Sequence, residues 1–444
     1  MPFIANTPAQ QRQMLDAIGV KNVDDLFADI PPELLCGELD IQPGMTEQEI
    51  RSRISALADK NITGQTSFLG GGFYDHFIPA AQEALVSRSE FYTAYTPYQP
   101  EVSQGTLQAI YEFQSAICRL TDMDVANASL YDGGTAVYEA IMMALRITHR
   151  RQVIVDDSVN PIYRKMVRSY TTNLGIELIE TTSSDGLPNR DEIASRISDD
   201  TAAVIVQTPN FFGCIDDVSD ISEMVHARGG LLIVSGYPIA MGLLKPPGQM
   251  GADIVIGEGQ SLGMPVSFGG PYLGFMATRT KHVRKMPGRV VGRTLDANGK
   301  EGFVLTLQAR EQHIRREKAT SNICTNEGLC ALTAIVYMSL MGKQGLREVA
   351  SVCADRGDYA RQRLLAVPGV TMRFPNRWYF NEFVISLPIA AEKVIRSLFT
   401  RGIAAGFPLG RYWPEMNNCL LVAVTEKRTK EDIDFLAHAL EVIL

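Results

Sequence analysis

Several short stretches hold residue types that could do chemistry, and they follow one another in a set order. Tyr131-Asp132-Gly133-Gly134-Thr135-Ala136 closes an apolar run and opens a helical one. Glycines there let backbone approach a ligand, a helix start presents unpaired N–H groups, and Thr135 adds a hydroxyl, so Gly133, Gly134 and Thr135 have the makings of a phosphate cradle. Asp-Gly-Gly-Thr is equally a turn with a helix cap, and on this stretch alone that plainer reading weighs more. Further on come Asp157-Ser158-Val159-Asn160-Pro161, Thr208-Pro209-Asn210-Phe211-Phe212-Gly213 and Val234-Ser235-Gly236-Tyr237. The last is Gly257-Glu258-Gly259-Gln260-Ser261-Leu262, directly after the strand-like Ala252 to Ile256.

That order is the one an aminotransferase-type enzyme uses to hold pyridoxal phosphate (PLP). After the phosphate loop it needs a ring-packing residue, a strand end bearing Asn, an Asp against the pyridine nitrogen, and a lysine that holds the cofactor as an imine. Asn210 fits its place. The positions expected for Asp and Lys fall on Ser235 and Ser261. A hydroxyl forms no imine, and without a carboxylate the pyridine nitrogen would not stay protonated. No lysine lies between Lys245 and Lys281, so a shift of register supplies none. The chain is therefore expected to have no catalytic residue acting alone, a vestigial phosphate loop and pocket, and no covalently bound cofactor.

The elements that must position these residues follow from hydrophobic periodicity. From about residue 105, helices alternate with short apolar strands, including Ala126 to Tyr131, Gln152 to Asp156, Ile176 to Glu180, Ala202 to Gln207, Leu231 to Val234, Ile254 to Ile256 and Tyr272 to Ala277. Continuous apolar strands separated by helices predict an α/β fold with a mostly parallel sheet covered on both faces, as in PLP-dependent aminotransferase-like (fold type I) proteins. Residues 1–60 read as an N-terminal helical arm, with a capping box at Thr46-Glu47-Gln48-Glu49. Residues 61–329 read as the large domain. Residues 330–444, with strand-like Phe383 to Leu387 and Cys419 to Val424 around a helix at Ala390 to Arg401, read as a small, βαβ-like α+β domain.

Composition narrows the function classes. With 45% hydrophobic and 21% charged residues, and 42 Lys+Arg against 50 Asp+Glu, the 444-residue chain is globular and mildly acidic. No long basic run points to nucleic acid or an anionic membrane. The opening Met1 to Asn6 lacks the pattern of a signal peptide, and the apolar stretch Leu329 to Met341 is shorter than the roughly 20 residues that span a bilayer. Cysteines 36, 118, 214, 324, 330, 353 and 419 are scattered singly, without metal-ligand spacing. A cytoplasmic protein without a metal site is expected.

Aromatic and proline residues concentrate in Phe91 to Gly105, where Tyr95, Thr96, Pro97, Tyr98, Gln99, Glu101 and Gln104 suit a subunit interface or the rim of a partner's active site. Packing of the arm onto the large domain accounts for them equally well. Of six dispersed histidines, His76 is kept as an interface candidate.

Thr66-Ser67-Phe68-Leu69-Gly70-Gly71-Gly72, Tyr95-Thr96-Pro97-Tyr98-Gln99-Pro100-Glu101 with Gln104-Gly105, and Thr320-Ser321-Asn322-Ile323-Cys324-Thr325-Asn326 closely resemble signatures of the glycine cleavage system P-protein family. The length and the missing lysine resemble the alpha, or N-terminal, half of that family's two-subunit form. The resemblance implies PLP on a lysine-bearing beta subunit, an α2β2 heterotetramer, release of CO2 from glycine, and transfer of the aminomethyl group to the lipoyl arm of the H-protein. Arg310, Arg315, Arg316 and Lys318 read as a basic face on a helix over Gln308 to Lys318, either solvated or docking an acidic partner such as the H-protein. Two rival readings remain: a catalytically inactive scaffold or regulatory subunit, and a self-sufficient PLP enzyme with a displaced lysine. The lysine-free stretch from 246 to 280 opposes the second.

Overall fold

A computed structural model describes residues 5–37 and 39–444. The expectations placed on Met1 to Ile4 and on Glu38 within the arm lie outside the described residues. The chain divides into two compact units, residues 1–63 and 64–444.

The first unit is built on two capped helices. Thr7 and Thr46 each accept the N–H three residues on, from Gln10 and Glu49, whose side chains reach back to the cap backbone. Reciprocal satisfaction of end groups starts Pro8–Ile18 and Glu47–Ala58 where the sequence places them. Between them lie single turns at Asp24–Phe27 and Pro32–Leu34.

The second unit is organised by a seven-stranded sheet. In chain order its strands are β1 (Val125–Ala126), β2 (Gln152–Asp156), β3 (Glu177–Thr181), β4 (Thr201–Thr208), β5 (Leu231–Gly236), β6 (Ile254–Glu258) and β7 (Gly274–Thr278), arranged β1-β7-β6-β5-β4-β2-β3. Pairs among β2 to β6 are parallel, and β7 runs antiparallel to both β6 and β1. Strands such as β2, β5 and β6 are buried at every residue, because helices cover both faces. Separate apolar clusters fill the two faces, one around Phe113, Val206 and Tyr337, the other around Ile141, Val155 and Ile205.

The expected strand at Ala126 to Tyr131 is shorter than read. Ser129 takes φ 128°, and the Ala128 N–H donates to Arg289 O instead of to a sheet neighbour. A hairpin, Val290–Leu295 with Glu301–Thr306, follows β7. The stretch Gln308 to Lys318 is not one helix. It breaks into Gln308–Arg310, Gln312–Arg315 and Arg316–Lys318, with positive φ at Leu307 and Arg316, so its basic residues share no continuous helical face.

A helix over Gly328–Leu365 crosses the expected boundary at 329/330 and is broken at Gly342 (φ 61°). It is long and apolar enough to cross a membrane by length and composition, but Cys330, Ala331, Ala334 and Tyr337 pack into the large core. Beyond it, Glu382–Ser386 and Cys419–Ala423 are antiparallel neighbours. The βαβ reading is corrected accordingly. Helix Ala391–Phe399 leads to the two-residue strand Phe407–Pro408, and Cys419–Ala423 inserts between that strand and Glu382–Ser386.

Candidate functional site

Strands β2, β4, β5 and β6 end on the same side of the sheet, where open α/β sheets place their ligand sites. A cavity of about 30 Å³ lies there, lined by Tyr74, Tyr163, Asn210, Ser235, Glu258 and Glu382 among others. Such a volume holds about a water or two, against several hundred Å³ for an ordinary cofactor site.

The cradle lies beside it. Helix Gly133–Thr148 begins at Asp132, whose carboxylate accepts the Thr135 N–H (2.8 Å) and the Thr135 hydroxyl (2.8 Å). The Gly133 N–H donates to Glu258 Oε2 (2.9 Å), from the last residue of β6. Glu258 Oε1 accepts two further N–H groups, from Gln260 (2.9 Å) and Leu273 (2.9 Å). Only 6% of Glu258 is exposed. Burial pushes its carboxyl up to about 7, against the downward pull of those N–H groups. The Tyr163 ring closes the space above the helix start: a Cβ on Gly133 would meet the Tyr163 hydroxyl at 2.4 Å.

A second carboxyl closes the other wall. Glu382 accepts the Gly71 N–H (2.7 Å) and the Tyr74 hydroxyl (2.9 Å), and burial raises it to about 7 as well. Glycine is required at residue 70, where a Cβ would lie 2.1 Å from Glu382 Oε1. Gln260 clamps the same segment, accepting the Tyr74 N–H (2.9 Å) and donating to Tyr74 O (3.1 Å).

Ser235 reaches this cavity and Asn210 lines it, but the Asn210 amide is spent on backbone, donating to Gly186 O and accepting from Phe212 and Cys214. Ser261 is buried beside the cavity's Glu258 strand end, and its hydroxyl has no hydrogen-bond partner among the described residues. His76 is not at a surface: it is 5% exposed, bonded through Nδ1 to Glu426 (2.7 Å) and through Nε2 to Tyr237. The residues present do not fit PLP. No amine stands at Ser261, no carboxylate at Ser235, and the Gly133 N–H and the Thr135 N–H and hydroxyl, which would face a phosphate, already serve Glu258 and Asp132. Glu258, Glu382 and Tyr163 had no role assigned from sequence; the signal for Glu258 was a lone carboxylate between two glycines at the end of an apolar strand.

The aromatic loop lies at a different place. Tyr95 is 89% exposed and, with Phe91, Tyr92, Pro97 and Leu329, lines an apolar groove of about 520 Å³. Thr96 and Thr325 join hydroxyl to hydroxyl (3.1 Å), bringing two of the signature stretches together. Gln104 ties the loop to the hairpin, donating to Phe303 O and accepting from Phe303 N. Arg289, 2% exposed, donates to the Tyr98 hydroxyl (2.8 Å), stacks its guanidinium 5.2 Å from that ring and pairs with Glu311 (3.2 Å).

Sheet order, strand ends and cavity define a protein of the PLP-dependent aminotransferase-like, fold type I class. Solved structures agree: a Burkholderia pseudomallei sphingosine-1-phosphate lyase superposes with TM-score 0.66 at 13% identity, over 92% of each chain. The chain belongs to the family described as glycine cleavage system P-protein, whose profile matches residues 1–440. It is 54% identical over 443 residues to a probable glycine dehydrogenase (decarboxylating) subunit 1 of Geotalea uraniireducens (strain Rf4), covering 99% of each chain. A protein of the same description from Nitratidesulfovibrio vulgaris (strain DP4) is 52% identical over 444 residues, covering 100% of each. The crystal structure of a glycine decarboxylase (P-protein) of the glycine cleavage system, in inhibitor-bound form, superposes with TM-score 0.93 at 42% identity, covering 100% of both chains.

Proposed function

We propose that this chain is the subunit of glycine decarboxylase that does not carry the cofactor. It joins a lysine-bearing partner subunit, as an α2β2 heterotetramer, and PLP sits on the partner. The complex decarboxylates glycine, releases CO2 and passes the aminomethyl group to the lipoyl arm of the H-protein. The carrying observation is the combination of full-length family membership with a cofactor place already filled by the chain's own carboxylates. An inert scaffold explains the filled site but not an exposed aromatic rim held in place by a buried arginine, which supports a loop presented to a partner.

Within this reading, Tyr95, Thr96, Pro97, Tyr98, Gln99, Glu101 and Gln104 form the partner-facing rim. Their rigid, Pro-constrained segment contributes contact area at low entropic cost. The arm over 1–60, a large domain over 61–329 and a small domain over 330–444 are the working division of the chain. The test is co-expression with a lysine-bearing partner: the pair should co-elute and release CO2 from glycine when H-protein is added, while either subunit alone should not. A fully active partner subunit in the absence of this chain would refute the reading.

A further inference from the structure

We propose that the Glu258 carboxylate is the resident occupant of the anion cradle at the start of helix Gly133–Thr148, an internal surrogate that keeps phosphate monoesters out of this chain. The inference deepens the functional reading above, on which it rests for the expectation that this site once suited PLP.

The geometry carries it. An anion cradle needs converging N–H donors at a helix start, where the helix dipole favours negative charge. Here the donor that would face a phosphate, the Gly133 N–H, ends on Glu258 Oε2, and the Thr135 N–H and hydroxyl end on Asp132. Glu258 does not reach the cradle by chance of a flexible side chain. Its Oε1 is fixed by the N–H groups of Gln260 and Leu273, from either side of the β6 to β7 connection. Its Cβ lies 3.1 Å from where a Cβ on Gly133 would stand, so no room remains between strand end and helix start. Glu382 on the opposite wall adds a second carboxyl. An ionised carboxylate on either wall would also repel a phosphate dianion. Occupancy and charge thus act in the same direction.

The test uses the full chain, inorganic phosphate and PLP as probes, at about pH 8 where Glu258 is ionised. Binding is read by calorimetry and by 31P line broadening, with circular dichroism confirming the fold. Wild type should bind neither probe. Glu258→Ala and Glu258→Ser, which uncover the Gly133 N–H, should bind phosphate about tenfold or more tighter than wild type. Glu258→Gln fills the same space but can accept at only one of the two former oxygens, so by occupancy it should gain less phosphate affinity than Glu258→Ala. The proposal falls if wild type binds phosphate as well as Glu258→Ala, if the folded Ala and Ser variants gain nothing, or if Glu258→Gln opens as widely as Glu258→Ala. Glycine decarboxylation by the wild-type complex is measured separately. Its absence would overturn the functional reading and leave the phosphate result standing.

Discussion

Replacing Arg289 with Met should destabilise the chain more than replacing Arg289 and Glu311 together. Arg289 is buried and pairs with Glu311 at 3.2 Å, and the Glu311 side chain is itself 8% exposed. Taking away the guanidinium leaves the buried carboxylate beside only the part-exposed His313 ring at 3.6 Å, and breaking a buried pair from one side costs about 3–5 kcal/mol. Arg289→Met/Glu311→Leu removes both charges and refills the space with apolar atoms, a change that is often neutral, so most of that cost should be recovered. Losing the hydrogen bond to Tyr98 (2.8 Å) and the stacking at 5.2 Å adds about 1 kcal/mol each to either variant, because Tyr98 is half-exposed and its hydroxyl can turn to water. Urea unfolding followed by circular dichroism reads the difference. A single variant within about 1 kcal/mol of wild type, or a double variant as unstable as the single, would refute the reasoning. Both variants should impair the reconstituted complex, since Tyr98 loses its seat in each.

Tyr98→Phe keeps the ring and its packing, so elution of the complex should be unchanged while glycine decarboxylation falls; full activity would reduce Tyr98 to packing. Glu258 and Glu382 are each raised to about 7 from an ordinary carboxyl value near 4.5. The folded chain therefore holds protons that the unfolded chain has released, so stability should fall as pH climbs from about 4.5 to about 7 and level off above. Glu382→Gln should flatten that slope in urea titrations at stepped pH, and an unchanged slope would exclude Glu382 as a source. Incubation of the isolated chain with PLP followed by borohydride should leave no single lysine labelled stoichiometrically, read by peptide mass spectrometry, because no lysine lies between Lys245 and Lys281. One lysine labelled stoichiometrically would show that an amine from elsewhere in the chain holds the cofactor.

The strands that could be read from sequence were those whose residues are apolar throughout and bounded by turns. Gln152 to Asp156 was read with its ends in place because a strand covered on both faces allows nothing polar inside it. The capping box at Thr46 was equally legible, being local chemistry, and Thr7 with Gln10 has the same form. What escaped depends on distant partners. Phe407–Pro408 is two residues long and gains its identity only from pairing with Leu420 and Leu421. The hairpin at Val290–Leu295 is interrupted by Gly292 and Arg293, which hide its alternation. At the site, Gly133-Gly134-Thr135 announced an anion cradle, but its occupant stands 125 residues further on, and only the sheet brings β6 beside that helix. Asp132 is the reverse case, since the plain turn-and-cap reading of Asp-Gly-Gly-Thr is what the bonds to Thr135 display.

Glu382 belongs to the small sheet, yet it holds Gly71 and Tyr74, which lie over the strand ends of the large one. It acts as a latch across the two cores, and the bolt is a carboxyl that water would ionise. Lifting the small sheet would hydrate Glu382, release the glycine segment above the cavity and expose Tyr74, all in one movement. The hold of the small sheet on the glycine segment over the cavity thus runs through one buried side chain.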